Sequence, residues 1–290
     1  MNKYVLFIPQ GGFNDCCCNI HRLISYCKLN KRTLLLDMTN SEYNINFSVY
    51  FNIKKLECDI IYDSNQIKNI LISLKNNNNL TVYPNNLDFN IIDLFNETNK
   101  KICFKFQPGT TVFAYKNITL DLPIEEQDEN VILHSRCGGG KGFLFFKNLS
   151  LQKNIKNIIN KKIKSFANNY LCIQVRNTDI KCNYIKLYND NKNFIHSFET
   201  IYICTDDESV LKFFKSKKLN IFCFTTFPKK KSYNLHNNKD ILPSQKMEDL
   251  ITDIFMAINS EFILSNSRGC FIKLLRDCHK NKENLLNILK

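Results

Sequence analysis

The chain has 290 residues, 44% of them hydrophobic, enough for one large domain or two Rossmann-sized domains with their own cores. No run of about 18 apolar residues occurs, so no membrane-spanning helix is expected. The net charge of +13 admits attraction to a polyanion, but Lys, Asn and Ile are abundant throughout, so biased composition is the preferred reading and no nucleic-acid partner is expected.

The chain opens with Met1-Asn2-Lys3 and an apolar run over residues 4–8, followed by Pro9-Gln10-Gly11-Gly12. This is too short for a signal-peptide core and lacks a small-residue cleavage site. It reads as a buried first strand, and the expected compartment is reducing and cytoplasmic. Gly11-Gly12-Phe13 is the next turn, and Ile20, Leu23, Ile24 and Cys27 then recur at helical spacing. Residues 33–36 form the following strand, ending at Asp37. Strand, helix and strand in succession imply a parallel sheet. A second helix follows Ser64, with Ile67, Ile70, Leu71 and Leu74 on one face. Short strands are expected over 102–106, 111–115 and 131–134.

A glycine-rich stretch, Cys137-Gly138-Gly139-Gly140-Lys141-Gly142, precedes a helix carrying Ile155, Ile158, Ile159, Ile163 and Phe166. The glycines supply the backbone freedom of a hinge. A domain boundary is expected near 137–165, dividing the chain into 1–145 and 146–290. The second half shows a doubly wound pattern, with strands over 170–175, 201–204, 221–225 and 262–264 and helices over 207–217, 247–259 and 269–278.

The thirteen cysteines are odd in number and include no CxxC pair. Cys16-Cys17-Cys18 has the wrong spacing for a zinc knuckle. Cys103, Cys172, Cys204 and Cys223 fall in apolar strand patterns, where cysteine acts as a small hydrophobe. One tight lysine cluster, Lys229-Lys230-Lys231, lies in an expected loop.

Ligands of open parallel sheets bind beyond the carboxyl ends of the strands. The polar residues there are Arg176-Asn177-Thr178-Asp179, Thr205-Asp206-Asp207 and Ser265-Asn266-Ser267-Arg268-Gly269. Arg176 can fork onto two phosphate oxygens, or it can pair with Asp179 and close the strand. The 265–269 cluster opens a helix, whose N–H groups and dipole suit a phosphate. Ser265 or Ser267 can equally be an ordinary N-cap. Thr205-Asp206-Asp207 is by itself an N-cap signal. The glycines before Lys141 fail the P-loop pattern, and no HExxH or strand-flanked DxD occurs. Asp206 and Asp207 are adjacent, not spaced for shared metal coordination, so a metal-independent reaction with no cofactor is expected.

Together, Val175-Arg176-Asn177-Thr178-Asp179, Tyr202-Ile203-Cys204-Thr205-Asp206-Asp207 and the stretch from Asp253 to Ser267 resemble the three C-terminal motifs of the fucosyltransferase superfamily. That group includes α1,6- and α1,2-fucosyltransferases, the bacterial nodulation fucosyltransferase and protein O-fucosyltransferases. Gly12-Phe13-Asn14-Asp15, Tyr26-Cys27-Lys28 and Lys31-Arg32-Thr33-Leu34 resemble its first β-turn-α-β segment.

The resemblance implies an α/β, GT-B-like fold with two Rossmann-type domains facing a cleft. It implies inverting transfer of fucose from GDP-fucose to a hydroxyl of a glycan or protein. The N-terminal domain would serve the acceptor and the C-terminal one the nucleotide sugar. Arg176 would bind the β-phosphate and stabilise the departing diphosphate. Asp253 would hydrogen-bond the guanine, unless it is a solvated helix-face acid. Ser265, Asn266 and Ser267 would hold the phosphates, with Gln174, Asp179, Thr205, Asp206, Arg268 and Gly269 beside them. Gly12, Phe13 and Asn14 would border the site. Asp15 aligns with a position where some protein O-fucosyltransferases carry a catalytic Asn, and it is the expected base; alternatively it caps its helix. Two departures stand out. Gln174 replaces the histidine that many members have two residues before the arginine, and Asn177 replaces a second arginine. Another nucleotide sugar on the same fold, or a non-catalytic basic nucleic-acid-binding protein, are the rival readings.

Overall fold

The computed structural model describes residues 2–96, 102–166, 169–229, 235 and 238–286. Lys230 and Lys231 of the lysine cluster lie outside them. The chain divides into two compact units, Met1–Ser150 and Leu151–Lys290. Among the described residues no helix is long and apolar enough to cross a membrane.

The first unit begins with β1 (Lys3–Pro9), α1 (Phe13–Leu29) and β2 (Arg32–Leu36). Next come β3 (Phe51–Ile53), β4 (Ile60–Ile61), α2 (Ser64–Asn76) and β5 (Val82–Tyr83). An antiparallel trio follows, β6 (Phe104–Phe106), β7 (Phe113–Tyr115) and β8 (Ile118–Thr119). The unit ends with β9 (Val131–Arg136) and α3 (Phe143–Phe146). Its main sheet is parallel, in the order β4-β2-β1-β9-β5. The central β1 is covered on both faces, which is why Val5, Leu6, Phe7 and Ile8 form an unbroken apolar run, all fully buried.

β10 (Leu149–Leu151) spans the boundary, and the second unit contains α4 (Lys153–Lys164), β11 (Leu171–Val175), α5 (Tyr184–Asp190) and α6 (Lys192–His196). It continues through β12 (Ile201–Thr205), α7 (Glu208–Lys215), β13 (Ile221–Phe222) and α8 (Pro243–Asn259). The last elements are β14 (Phe262–Leu264), α9 (Cys270–Lys280) and α10 (Lys282–Leu286). The parallel sheet has the order β13-β12-β11-β14. Ile201 and Ile203 join a core with Val210 and Phe214 of α7. Tyr202, on the opposite face by strand alternation, reaches α8 through Asp253.

Several boundaries differ from expectation. Phe166 lies beyond α4, where its ring packs against Tyr170, Tyr202, Phe222 and Phe224. Apolar spacing extended the helix two residues too far. β13 stops at Phe222, because the residues after it turn toward α8: Thr225 donates to Asp253 (3.3 Å) and the Thr226 N–H to Asp249 (2.7 Å). Cys223 therefore leaves the strand. Cys103 is exposed and precedes β6, so its reading as a buried strand cysteine is corrected. Cys172 and Cys204 are buried within strands as expected.

Candidate functional site

In the second unit the chain leaves β11 toward β12 and β13 on one side, then returns to β14 on the other. Strand order reverses between β11 and β14. Such a reversal opens a crevice at the carboxyl ends of the two strands. Arg176 follows β11 there, and the 265–269 connection follows β14.

A chain of hydrogen bonds fixes the two together. The Arg176 N–H donates to Ser267 Oγ (3.1 Å), the Ser267 N–H to Ser265 Oγ (3.0 Å), and Ser265 Oγ to Gln174 Oε1 (2.9 Å). Asn266 Nδ2 donates to the Asn183 carbonyl and Arg276 Nη2 to the Ser265 carbonyl, each at 2.9 Å. Gln174 and Ser267 are buried, while Arg268 is exposed. The N-cap of α9 is Gly269, not Ser265 or Ser267, which corrects the ordinary-cap reading of those serines. A glycine supplies no side-chain oxygen to the first-turn N–H groups. A Cβ on Gly269 would lie 3.1 Å from Arg176 Nη1, so the guanidinium rests against the start of α9.

The same guanidinium is forked onto Asp179, with Nε donating to Oδ1 at 2.8 Å and Nη2 to Oδ2 at 2.5 Å. Burial pushes the Asp179 carboxyl up, but the hydrogen bonds and charge of Arg176 outweigh it and hold it below the usual range. Asp206 and Asp207 brace the turn after β11. Asp206 accepts from the Asn177 N–H (2.7 Å) and Thr178 Oγ1 (2.6 Å). Asp207 accepts from Asn177 Nδ2 (2.9 Å) and N-caps α7 through Ser209. Thr205 Oγ1 accepts from the Asp207 N–H at 3.3 Å. Burial raises the Asp206 carboxyl. Beside this turn, Thr178, Asp206, Asp207, Lys212, Phe227 and Pro228 help to line a cavity of about 250 Å³.

Asp253 does not share the hydrogen bonds of this cluster. It is 8% exposed, so its reading as a solvated acid is corrected. Tyr202 Oη donates to Oδ1 at 2.5 Å and Thr225 Oγ1 to Oδ2 at 3.3 Å. Burial pushes its carboxyl up to about 7.

The first unit has its own strand-order reversal, between β1 and β9. Gly12 is the N-cap of α1, and Asp15 sits in the first turn. The reading of Asp15 as the cap is thereby corrected; its negative charge there complements the helix dipole. Asn14 is buried and donates to the Gly139 carbonyl (2.7 Å), while its Oδ1 has no hydrogen-bond partner among the described residues. Asn19 donates to the Gly138 carbonyl at 2.9 Å. Phe13 is 2% exposed and stacks on Phe51 at 5.8 Å, so its ring belongs to the core. Glu42 accepts from the Gly11 N–H at 3.0 Å. No sequence pattern singled Glu42 out, because it lies in an irregular loop without periodicity.

No protein-family model matches the chain, and no curated protein matches its sequence. Solved structures do match. Fucosyltransferase NodZ from Bradyrhizobium aligns over 95% of this chain and 93% of its own, with 16% identity and a TM-score of 0.57. NodZ alpha-1,6-fucosyltransferase soaked with GDP-fucose aligns over 95% and 92%, with 16% identity and a TM-score of 0.56. POFUT1 in complex with GDP-fucose aligns over 96% and 94%, with 11% identity and a TM-score of 0.52. In its two parallel sheets and nearly its whole length, this chain has a fucosyltransferase-like α/β fold.

Proposed function

We propose that this chain is a glycosyltransferase that moves fucose from GDP-fucose to a hydroxyl of a glycan or protein, with inversion and without a metal. The observation that carries the reading is Arg176 resting against the N-terminus of α9 at a strand-order reversal. That combination of guanidinium and helix N–H groups is suited to a diphosphate. Structures of similar fold were solved with GDP and GDP-fucose. The second unit then serves as the Rossmann-type donor domain of a GT-B enzyme and the first as the acceptor domain. The thirteen free thiols suit a reducing, cytoplasmic setting.

In this reading Arg176 stabilises the charge that develops on the leaving β-phosphate. The acceptor oxygen bonds to the anomeric carbon as the bond from that carbon to the phosphate oxygen breaks on the opposite face. Asp15 takes the acceptor's proton, and GDP departs. With the positive charge supplied by arginine, a chelator leaves the rate unchanged.

Thermal-shift titration tests the donor. GDP is expected to raise the melting temperature more than UDP or ADP, by an amount equivalent to about 2.7 kcal/mol at 100 times its Kd. A response to UDP alone would assign the fold to another nucleotide sugar.

A further inference from the structure

Arg176 has two edges through which it can fork onto an anion: Nε with Nη2, and Nη1 with Nη2. Asp179 takes the first, at 2.8 and 2.5 Å, from three residues further along the same turn. The turn itself is rigidly held. Asn177 and Thr178, between the two partners, are bonded to Asp206 at 2.7 and 2.6 Å, and the Arg176 backbone is bonded to Ser267 at 3.1 Å. A guanidinium forked in this way cannot swing about its own long stem. Its Nη1 end is directed at Gly269, where any side chain would begin 3.1 Å away.

We propose that Asp179 is a positioning residue for Arg176, and not itself a ligand of the nucleotide: it occupies the Nε edge so that the Nη1 edge, over Gly269, meets the diphosphate. This rests on the phosphate-binding role given to Arg176 above. The chemistry favours a positioning role over direct contact, because a carboxylate has no donor to offer a phosphate and repels it. Orientation matters because the next residue in the turn, Asn177, adds no second guanidinium beside Arg176. Gly269 belongs to the same device. It leaves room for Nη1 beside the helix start, and alanine there would press on the guanidinium from the other side.

The test uses the full chain with Arg side chains labelled with ¹⁵N. Inorganic pyrophosphate and GDP are titrated calorimetrically into wild type, Asp179→Ala, Asp179→Glu and Gly269→Ala, after circular dichroism shows that each is folded. In wild type the Arg176 Nε–H gives a protected, downfield-shifted resonance, which Asp179→Ala abolishes. Asp179→Ala is expected to weaken pyrophosphate and GDP binding by roughly tenfold or more, and to lower kcat further than it raises KM, as loss of a properly aimed donor demands. Asp179→Glu restores part of both, and Gly269→Ala weakens pyrophosphate while leaving the Nε–H signal in place. Equal or tighter pyrophosphate binding by Asp179→Ala overturns the positioning role and makes Asp179 a competitor for Arg176, with the phosphate reading intact. Absence of pyrophosphate and GDP binding in wild type, with the Nε–H signal present, removes the phosphate reading and the positioning role together.

Discussion

Tyr202 on β12 donates a 2.5 Å hydrogen bond to Asp253 on α8, joining a phenol and a carboxyl that are both buried. Burial dominates this carboxyl and pushes it up from 3.8 to about 7. The proton therefore stays on in the folded chain over a range where the unfolded chain has released it. The sign follows from linkage: the native state binds more protons between these values, so the contribution of Asp253 to stability is full below pH 4 and is lost as pH rises through about 7. The whole effect is about 4 kcal/mol at most. Urea unfolding midpoints between pH 4.5 and 8 are expected to fall for wild type relative to Asp253→Asn. Parallel curves would show that Asp253 ionises normally.

Replacement of Arg176 tests the leaving-group role. Arg176→Ala should lower kcat by roughly 10²–10³-fold, the scale of losing one pre-aimed donor at a developing charge. Arg176→Lys should recover little, since an ammonium cannot fork onto Asp179 and present a second edge. The melting temperature should hardly change, because the backbone N–H keeps its bond to Ser267. Near-wild-type turnover in Arg176→Ala would leave the arginine a purely structural partner of Asp179.

Asp15→Asn separates base from scaffold. The substitution keeps the shape of the first turn of α1, where Gly12 and not Asp15 is the N-cap. Turnover is expected to drop by about 10²–10⁴-fold, with GDP affinity and melting temperature close to wild type. Normal turnover assigns the base to another group.

Gly139 offers a prediction independent of activity. Its φ is +134°, and a Cβ there would lie 2.3 Å from Cys18 Sγ on α1. Gly139→Ala should cost at least about 1–3 kcal/mol through overpacking and backbone strain. Adding Cys18→Ala removes the Sγ contact but leaves the residue-18 Cβ at 2.8 Å and the backbone strain, so the double variant should recover only part of the loss in a denaturant titration. Full recovery would mean that neither the remaining contact nor the backbone angle carries a cost.

The parallel sheets were readable because buried strands are continuous apolar runs and their helices keep a clean 3.6-residue stripe. Residues 3–9, 171–175 and 201–205 are of this kind. α5 and α6 were not readable. They bury little beyond Leu187, Tyr188 and Ile195 amid Asn and Lys, so no stripe forms. The strand-end residues were legible as a set, since polar residues directly after apolar runs mark carboxyl ends. Their division of labour was not. That Asp206 and Asp207 brace a turn, that Gly269 is the cap, and that Asp253 is buried against Tyr202 are facts of packing between segments far apart in sequence.

The bond from the Arg176 N–H to Ser267 Oγ joins positions 91 residues apart. During synthesis from the N-terminus, β11 and its arginine emerge long before their counterpart, and the anion site proposed above has only one wall until β14 and α9 follow. Closing so long a loop is entropically costly and slow compared with forming either strand's local neighbours. A nascent chain halted anywhere before Ser267 can hold a folded first unit and still lack the proposed anion site, so ligand capture by ribosome-bound chains should switch on only after β14 and the start of α9 have emerged.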